Sequence, residues 1–300
     1  MKIYGAGIAG LLAGAAFQRA ELFESSPEGL CQHKAVLRFR TPQVGEAVGI
    51  DFRKVTVRKG IYFQGEFVKP NLRLANFYSQ KVIGRLVDRS IWNLEPATRF
   101  IAPETFIEQL MERCSGRVHW NHTLTSSDVL NRKSLAISTL PMKTMADFLQ
   151  VDHPTFVHAP IKVMRWRVPS ADVFQTVYFP EPDSRLYRAS ITGDMLIAEY
   201  VDSPHSCDTD YRIFEAFGLS MADVEPLTVK SLHKYGKIAP IDEAWRKQFI
   251  FSLTQNHNIL SLGRYGTWRN ILLDDVIHDI AVLKKLTNSS DYERMKLNIK

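Results

Sequence analysis

Short apolar segments alternate with glycine-rich or polar turns in the first thirty residues. The apolar pair at residues 3–4 runs into a glycine-rich stretch at 5–10, and a helix-forming segment follows at 11–19. Residues 20–24 form a second apolar segment of the buried-strand type, which ends in the carboxylate of Glu24. Strand, glycine turn, helix and strand in this order predict a βαβ unit.

Three further segments of the first half have informative patterns. Residues 55–68 indicate a β-hairpin that turns at Gln64 and Gly65. Residues 102–113 predict a helix, with a proline at an early position and an acidic residue in the first turn. The apolar run at 135–141 predicts a buried strand that opens into a loop.

The pattern changes between residues 155 and 201. Long β-type segments at 161–168, 175–179 and 186–201 follow one another without amphipathic helices between them. Such a run predicts a largely antiparallel sheet, which we expect to form a second, substrate-facing domain. A helix is expected at 208–217.

The composition is that of a globular protein. With 300 residues, 45% of them hydrophobic and 23% charged, the chain is long enough for two domains. No apolar run reaches the roughly 18 residues of a bilayer span, and the N-terminus begins a folded element without a basic leader. We therefore expect a cytoplasmic protein that does not bind membranes. The net charge of +6 has the sign expected of a protein that meets phosphates or carboxylates.

Cysteine and histidine residues give no sign of a metal site or a disulfide framework. Cys31, Cys114 and Cys207 are odd in number and too scattered for a zinc-binding spacing. His119 and His122 lie three positions apart but lack a third ligand nearby in the sequence. We expect reduced thiols and no bound metal.

The glycine-rich stretch has the spacing of a dinucleotide-binding motif. Gly5 permits a tight turn, Gly7 allows a pyrophosphate to approach the backbone, and Gly10 allows close packing of helix and strand. The N-terminus of the helix supplies amide donors and a partial positive charge. Glu24, 19 residues beyond Gly5, is placed to accept hydrogen bonds from ribose hydroxyls and would repel the 2′-phosphate of NADP. The alternative is a tight turn whose only role is to pack a helix on a strand.

The C-terminal region suggests which dinucleotide binds. Residues 258–262 predict a strand, glycines interrupt it at 263–266, and a helix is expected at 272–286. This segment resembles the closing motif of the flavoprotein superfamily that includes UDP-galactopyranose mutases and amine oxidases. The matching positions, in the order found in the mutases, are Gly263, Arg264, Gly266, Trp268, Arg269, Asp274, Val276 and Ile277.

This resemblance implies that the chain returns to its first domain and covers the flavin end of FAD. It places Arg264 near the FAD pyrophosphate and ribityl chain. The alternative is an ordinary strand and capped helix with surface arginines. The chain departs from the mutases at Asn270 and Leu272, where they carry a tyrosine and an aspartate for substrate contact, and this argues against a UDP-sugar mutase.

Together these patterns predict an α/β fold with a discontinuous, Rossmann-type FAD-binding domain. That domain comprises residues 1–50, 100–150 and 255–300. The inserted substrate domain, mostly antiparallel β-sheet, comprises residues 51–99 and 155–254. The residues expected to bind FAD are Gly5, Ala6, Gly7, Ile8, Ala9, Gly10, Glu24, Ser25, Arg38, Leu124, Gly263, Arg264, Thr267, Trp268 and Arg269.

Arg38 and Arg40 are the candidate catalytic residues. They alternate with Leu37 and Phe39, so in a strand both guanidinium groups point the same way and make one face cationic. Facing a flavin, such a pair suits a substrate carboxylate or phosphate. The segment 36–41 is also the candidate for the flavin-facing histidine loop of the mutases, with Arg40 where a histidine is usual. The alternative is the outer face of an edge strand.

The function that these features favour is FAD-dependent oxidation of an amine, in which hydride transfer to flavin leaves an imine that water hydrolyses. The compact size and basic surplus also resemble phage-encoded flavoproteins of thymidine hypermodification. That resemblance implies a lyase acting on an amino-acid adduct of thymine in DNA. Alternatives are a small-molecule amine oxidase, a non-redox flavoenzyme such as a UDP-sugar mutase, and a module that binds a dinucleotide for structural reasons.

Basic and aromatic residues interleave in the middle of the chain, and this suggests a DNA-binding surface. The alternative is a solvated basic face. The basic residues are Arg53, Lys54, Arg58, Lys59, Lys69, Arg73, Lys81, Arg85, Arg89, Arg165 and Arg167, and the aromatic residues are Tyr62, Phe77, Tyr78 and Trp92.

Overall fold

The computed structural model describes residues 1–28, 37–86, 90–130, 134–201 and 210–288. Two β-sheets organise this part of the chain, one of five strands and one of nine. Within these ranges no helix is both long enough and apolar enough to cross a membrane. The helices are α1 (Ile8–Ala16), α2 (Gln43–Val48), α3 (Leu72–Ile83), α4 (Phe106–Arg113), α5 (Ser126–Leu130), α6 (Met142–Leu149), α7 (Arg212–Phe217), α8 (Glu243–His257), α9 (Gly263–Gly266) and α10 (Leu273–Asn288).

The five-stranded sheet is parallel throughout. Its strands are β1 (Lys2–Tyr4), β2 (Glu21–Phe23), β7 (Val118–His119), β8 (Ala136–Ser138) and β14 (Ile259–Ser261). Their order is β14-β8-β1-β2-β7. The predicted βαβ unit is confirmed, because β1 and β2 pair in parallel with Ile3 opposite Leu22. The C-terminal strand also returns to this sheet as predicted, with Leu260 opposite Ile137.

Helices cover both faces of this sheet, which explains why neighbouring positions of a strand, such as Ile3 and Tyr4, are both buried and apolar. Ile3 points to the side where α1, α2, α4 and α10 pack. Its neighbour Tyr4 points to the other side, where α6 and α8 pack. Successive residues of a strand face opposite ways, so even a three-residue strand contributes to two cores.

The nine-stranded sheet contains the region predicted to be the second domain. Its strands are β3 (Arg38–Phe39), β4 (Arg53–Phe63), β5 (Glu66–Val68), β6 (Ala97–Ile101), β9 (His158–Arg167), β10 (Phe174–Tyr178), β11 (Leu186–Thr192), β12 (Met195–Val201) and β13 (Glu225–Ile238). The order is β13-β9-β12-β11-β10-β4-β6-β3, and β5 pairs with β4. All neighbours are antiparallel except β10 and β4, so the prediction of a mostly antiparallel sheet is confirmed.

The nine-stranded sheet contains the predicted turn at Gln64 and Gly65 and a second turn, at Gly193, that was not predicted. The β4–β5 hairpin turns at Gln64 and Gly65, whose φ angles are 55° and 85°. The segment 186–201, predicted as one β-type stretch, contains two strands, because Gly193 adopts a φ of 61° and reverses the chain. β3 pairs with β6; the strand thus belongs to the nine-stranded sheet, although the predicted boundaries assign residues 1–50 to the first domain.

Several elements were not predicted from the sequence. The helix α3 is capped at its N-terminus by Asn71, whose side chain accepts a hydrogen bond from the Leu74 amide at 3.0 Å. Its C-cap is Gly84, with a φ of 72°. The helix α8 and the strand β13 were likewise not predicted. Of the three fully buried residues in α8, one is Arg246, so the apolar pattern of this helix is weak.

The predicted helices differ from the observed ones mainly at their ends. The helix expected at 102–113 begins at Phe106, and that expected at 272–286 extends to Asn288. The helix expected at 208–217 is observed as α7, while residues 208 and 209 lie outside the described part of the chain.

Candidate functional site

The glycine turn, residues 5–10, joins β1 to α1 and contains two glycines that packing requires. Gly5 has a φ of +92°, and a Cβ atom there would lie 2.3 Å from Oγ1 of Thr139. A Cβ atom on Gly10 would lie 1.8 Å from the carbonyl oxygen of Gly5. A larger residue at Gly5 would combine a conflict with the Thr139 side chain with a strained backbone, and one at Gly10 would require a shift of the backbone.

Gly7 differs from the other two glycines of the turn. A Cβ atom on Gly7 would meet no protein atom within 4 Å. Gly7 is the N-cap of α1, has an extended backbone and provides no side-chain cap for the first amides of the helix. The turn therefore leaves open space in front of a helix N-terminus, which is the arrangement that suits a phosphate group.

Glu24 follows β2 and lies beside the glycine turn. Its Oε2 atom accepts a hydrogen bond from the Ala6 amide at 2.7 Å. Its Oε1 atom accepts hydrogen bonds from the Ser26 amide at 3.0 Å and from the Ser25 hydroxyl at 3.2 Å. The carboxylate is thus held at the position where the motif requires a ribose-binding acid.

The closing loop, residues 263–270, packs directly on the glycine turn. Gly263 has a φ of +82°, and a Cβ atom there would lie 2.9 Å from the Cβ of Ala9. A Cβ atom on Gly266 would lie 3.0 Å from the carbonyl oxygen of Ser138, at the end of β8. The structure therefore brings together the two segments that the sequence assigned to one cofactor.

Arg264, in the closing loop, has a buried side-chain donor atom, Nε, without a hydrogen-bond partner among the described residues. The guanidinium carbon lies 5.8 Å from the centroid of the Tyr265 ring. Burial lowers the pKa of Arg264, and the charge of Arg188 lowers it further. A buried cationic donor of this kind is unfavourable unless an acceptor binds.

Three other predicted residues of the closing loop stabilise the loop itself. The Thr267 hydroxyl donates to the carbonyl of Gly263 at 2.7 Å. Trp268 is 2% exposed, and its indole nitrogen donates to the carbonyl of Ala239 at 3.0 Å. Arg269 pairs with Asp279 of α10. Direct contact of these side chains with a cofactor stays a prediction.

Two further predicted residues are buried. Ile8, the first residue of α1, is 8% exposed and belongs to the core that contains Ile3, while Leu124, 6% exposed, belongs to the core that contains Tyr4. Sequence reasoning missed Arg246 of α8, which is buried and donates to the carbonyl of Thr267 at 3.1 Å. Glu243, three residues earlier, pairs with Arg246 within the helix, but the bond to Thr267, 21 residues further along the chain, cannot be seen in the local pattern.

The guanidinium group of Arg38 extends into the nine-stranded sheet. Its Nη1 atom donates to the Thr176 hydroxyl at 2.8 Å. Its Nη2 atom donates to the carbonyl of Ile191 at 2.7 Å and to the Thr192 hydroxyl. Its Nε atom is buried and has no partner among the described residues. Burial and the charge of Arg188 lower the pKa of Arg38 to about 10, so the group stays protonated at neutral pH.

Arg40 has a different set of partners, and the predicted common cationic face is wrong. Its Nη2 atom lies 2.5 Å from Oδ1 of Asp275, and its backbone amide donates to Asp274 at 2.9 Å. The cause is that β3 ends at Phe39, so the strand alternation does not extend to residue 40. The catalytic roles of both arginines stay predictions.

Sequence reasoning also missed an ion pair near Arg38. Arg188 of β11 lies opposite Glu199 of β12 in the strand register and forms a salt bridge with it. Burial by itself would raise the pKa of Glu199, but Arg188 outweighs it and holds the pKa at about 2. The polar positions of β11, where Arg188 and Ser190 alternate with buried Ala189 and Ile191, were the available signal.

The basic and aromatic residues of the middle region do not form one continuous surface. Tyr62 and Tyr78 are 6% and 4% exposed and belong to the core. Lys81 donates to the backbone carbonyls of Phe179 and Leu186 at 2.6 and 2.8 Å. These three residues are therefore excluded from the predicted DNA-binding surface. Arg89 lies outside the described residues, and contact of the remaining ones with DNA stays a prediction.

His119 and Cys114 contact other side chains of the fold and, among the described residues, do not belong to a metal site. The His119 ring stacks on Phe23 with 4.7 Å between centroids, and Cys114 is buried. Cys31 and Cys207 lie outside the described residues. In the described ranges, His, Cys, Asp and Glu side chains do not form a group of three or more able to hold a metal ion.

Comparison with known proteins identifies the fold. No protein-family model matches the chain, and no curated protein sequence matches it. Similar solved structures are reduced UDP-galactopyranose mutase (14% identity, 89% of this chain and 90% of that chain, TM-score 0.60) and an oxidoreductase from Methanosarcina mazei (11%, 95% and 100%, 0.56). A third is aklavinone-11 hydroxylase in complex with FAD and aklavinone (11%, 95% and 61%, 0.54). The chain thus shares the α/β fold of these solved structures, with a parallel, Rossmann-type sheet and a second, mostly antiparallel sheet.

Proposed function

We propose that the chain binds FAD and is an FAD-dependent oxidoreductase. The contact between Ala9 and Gly263 carries this proposal, because it joins the open space in front of Gly7 to the buried, unpartnered Nε of Arg264. The glycine turn offers space and amide donors for a pyrophosphate. Arg264 of the closing loop offers a cationic donor that lacks an acceptor. A dinucleotide satisfies both requirements at once.

The chain's own residues define how such a cofactor would be held. The glycine turn and the N-terminus of α1 would hold the pyrophosphate, and Glu24 would accept hydrogen bonds from ribose hydroxyls. Arg264 would donate to an oxygen of the pyrophosphate or ribityl chain. When bound, FAD supplies a two-electron acceptor for a hydride.

We infer that the substrate is an amine. Transfer of a hydride to bound FAD from the carbon beside the amine nitrogen would leave an iminium ion, which becomes an imine on loss of its N–H proton to water. Hydrolysis of the imine or iminium ion then splits the C–N bond to give a carbonyl compound and a free amine. No protein base is required for these steps, which agrees with the absence of a recognisable catalytic triad in the sequence. Arg38 would hold an anionic group of the substrate.

The finer form of the proposal places the amine on DNA, as an amino-acid adduct of the thymine methyl group. The net charge of +6 supports it, as do the exposed side chains of Lys54 and Arg58 on β4. These lie four residues apart on one strand and so share a face. Contacts to phosphates predict DNA binding that weakens steeply with salt. DNA binding that is insensitive to salt, or absent at low salt, would contradict this form.

One experiment separates the candidate functions. The purified protein is tested for bound flavin and then mixed anaerobically with amino acids, DNA bearing an amino-acid adduct, or UDP-galactose, while the flavin absorbance is followed. Bleaching by an amine supports the proposal. Turnover of UDP-galactose only after reduction indicates a mutase, and a bound flavin that no substrate bleaches indicates a structural role. A protein that does not bind added flavin would overturn the proposal altogether.

A further inference from the structure

The inner face of the nine-stranded sheet is the face that carries Tyr178, Arg188 and Glu199. The strand register places Arg188 between these two residues, with Tyr178 on β10 and Glu199 on β12. Thr176 lies two positions before Tyr178 and therefore faces the same side, about 7 Å further along the strand. The guanidinium of Arg38 bonds to Thr176, so both arginines lie on this face.

Positive charge on this face exceeds the negative charge. Glu199 forms a salt bridge with Arg188, and the charge of Lys237 also lowers the pKa of Glu199. Arg38 adds a third cation on this face, and the charge of Arg188 lowers the pKa of Arg38 and also that of Arg264 in the closing loop. The carboxylate of Glu199 thus lies near three cationic side chains, those of Arg188, Lys237 and Arg38. A partly buried excess of one sign is unfavourable unless a counter-ion binds.

Donor groups remain available within this arrangement. Arg38 and Arg264 each have a buried Nε atom without a partner among the described residues. Arg188 is about one-third exposed, since 34% of its side-chain surface remains accessible. Arg38, by contrast, is held by hydrogen bonds to three residues of β10 and β11. The site therefore combines a fixed arginine with an accessible one.

We propose that Arg188, together with Arg38, binds the carboxylate of an amino-acid-type substrate on the inner face of the sheet. This inference rests on the proposed function and adds Arg188, held in place by Glu199, as the residue that selects an anionic amine. A carboxylate is favoured over a phosphodiester because Arg38 is mostly buried, and a terminal group reaches such a site more readily than a continuous backbone does. The planar fork of an arginine also matches a carboxylate.

The test measures binding of acetate and inorganic phosphate to the FAD-loaded protein by calorimetry. The variant is Arg188→Met with Glu199→Gln, which removes the pair together and leaves no unpaired buried carboxylate. Arg167→Met is the matched control, because Arg167 lies on β9, the strand next to β12, and its salt bridge to Asp194 is exposed. We expect acetate affinity to fall about tenfold or more in the double variant. Acetate affinity should not change in the control, and FAD content should be equal in all three proteins.

If the double variant does not fold, chemical modification of arginine residues in the protein without substitutions still tests the proposal. Phenylglyoxal modification of Arg188, quantified by mass spectrometry, is expected to slow when acetate is present, while modification of Arg167 is not.

The other possible results of the acetate and FAD binding measurements distinguish this inference from the proposed function. Normal FAD binding without acetate binding, or a preference for phosphate, would overturn this inference and leave the proposed function intact. Parallel loss of acetate and FAD in the double variant would assign Arg188 to the cofactor and also overturn it. If the protein does not bind FAD, the proposed function fails, and acetate protection of Arg188 in the flavin-free protein still tests the site.

Discussion

Ala9 and Gly263 are in contact although 254 residues separate them: a Cβ atom on Gly263 would lie 2.9 Å from the Cβ of Ala9. Ala9 belongs to the glycine turn, and Gly263 begins the closing loop. The contact brings the chain's two ends to one site, and the positive φ of Gly263 makes the approach possible.

Substitution of Gly263 by alanine tests this contact. We expect the Gly263→Ala variant to lose about 1–3 kcal/mol of unfolding free energy, since it combines backbone strain with a steric conflict. Gly65→Ala is a matched control, because Gly65 has a φ of +85° but its Cβ would meet nothing within 4 Å. Chemical denaturation of both variants measures the difference. Equal losses in the two variants would mean that the Ala9 contact is unimportant.

The glycines of the turn are expected to respond differently to alanine. Gly7→Ala should keep its stability, because a Cβ atom there meets no protein atom, but should lose most of its FAD affinity. Gly10→Ala should be strongly destabilised, because its Cβ would lie 1.8 Å from the Gly5 carbonyl oxygen. Denaturation and flavin titration distinguish the two effects. A Gly7→Ala variant that binds FAD normally would contradict a pyrophosphate site at this turn.

Arg264 is expected to matter for the cofactor and little for the fold. Replacement of Arg264 by methionine should reduce FAD affinity by about tenfold or more, since a charge-assisted hydrogen bond is lost. The flavin-free protein should not lose stability, because the Nε atom has no partner among the described residues. Arg269→Met is the control: it breaks the pair with Asp279 and should lower stability. The opposite pattern would show that Arg264 is structural.

Lys81 should make the stability of the protein depend on pH. Burial lowers the pKa of Lys81 from 10.5 to about 7, while the charge of Glu181 acts in the opposite direction. Between pH 7 and 10.5 the unfolded chain therefore holds a proton that the folded protein has released. The unfolding free energy should rise with pH across that window, and below pH 7 this contribution should be constant.

The Lys81→Met variant should lack this rise, as measured by urea denaturation at several pH values. Lys54→Met, which removes an exposed lysine, is the control. An identical pH dependence in the Lys81→Met variant and the unaltered protein would show that Lys81 does not titrate in this range.

The sequence by itself determined the βαβ unit, the return of the C-terminal strand and the mostly antiparallel second sheet. These features depend on local periodicity and on glycines whose spacing is visible along the chain. The missed helix α8 shows the limit of such patterns, because one of its buried residues is Arg246, which bonds to the closing loop. An apolar period does not reveal a buried charge.

Only the tertiary structure decided what the charged residues do. Arg38 and Arg40 are two positions apart, yet one bonds to the nine-stranded sheet and the other to Asp275 of α10. The pair of Arg188 and Glu199 depends on the register of two neighbouring strands. Local pattern fixes which way a residue faces within its own element. The identity of its partner follows from how distant elements pack, and that information is spread over the whole chain.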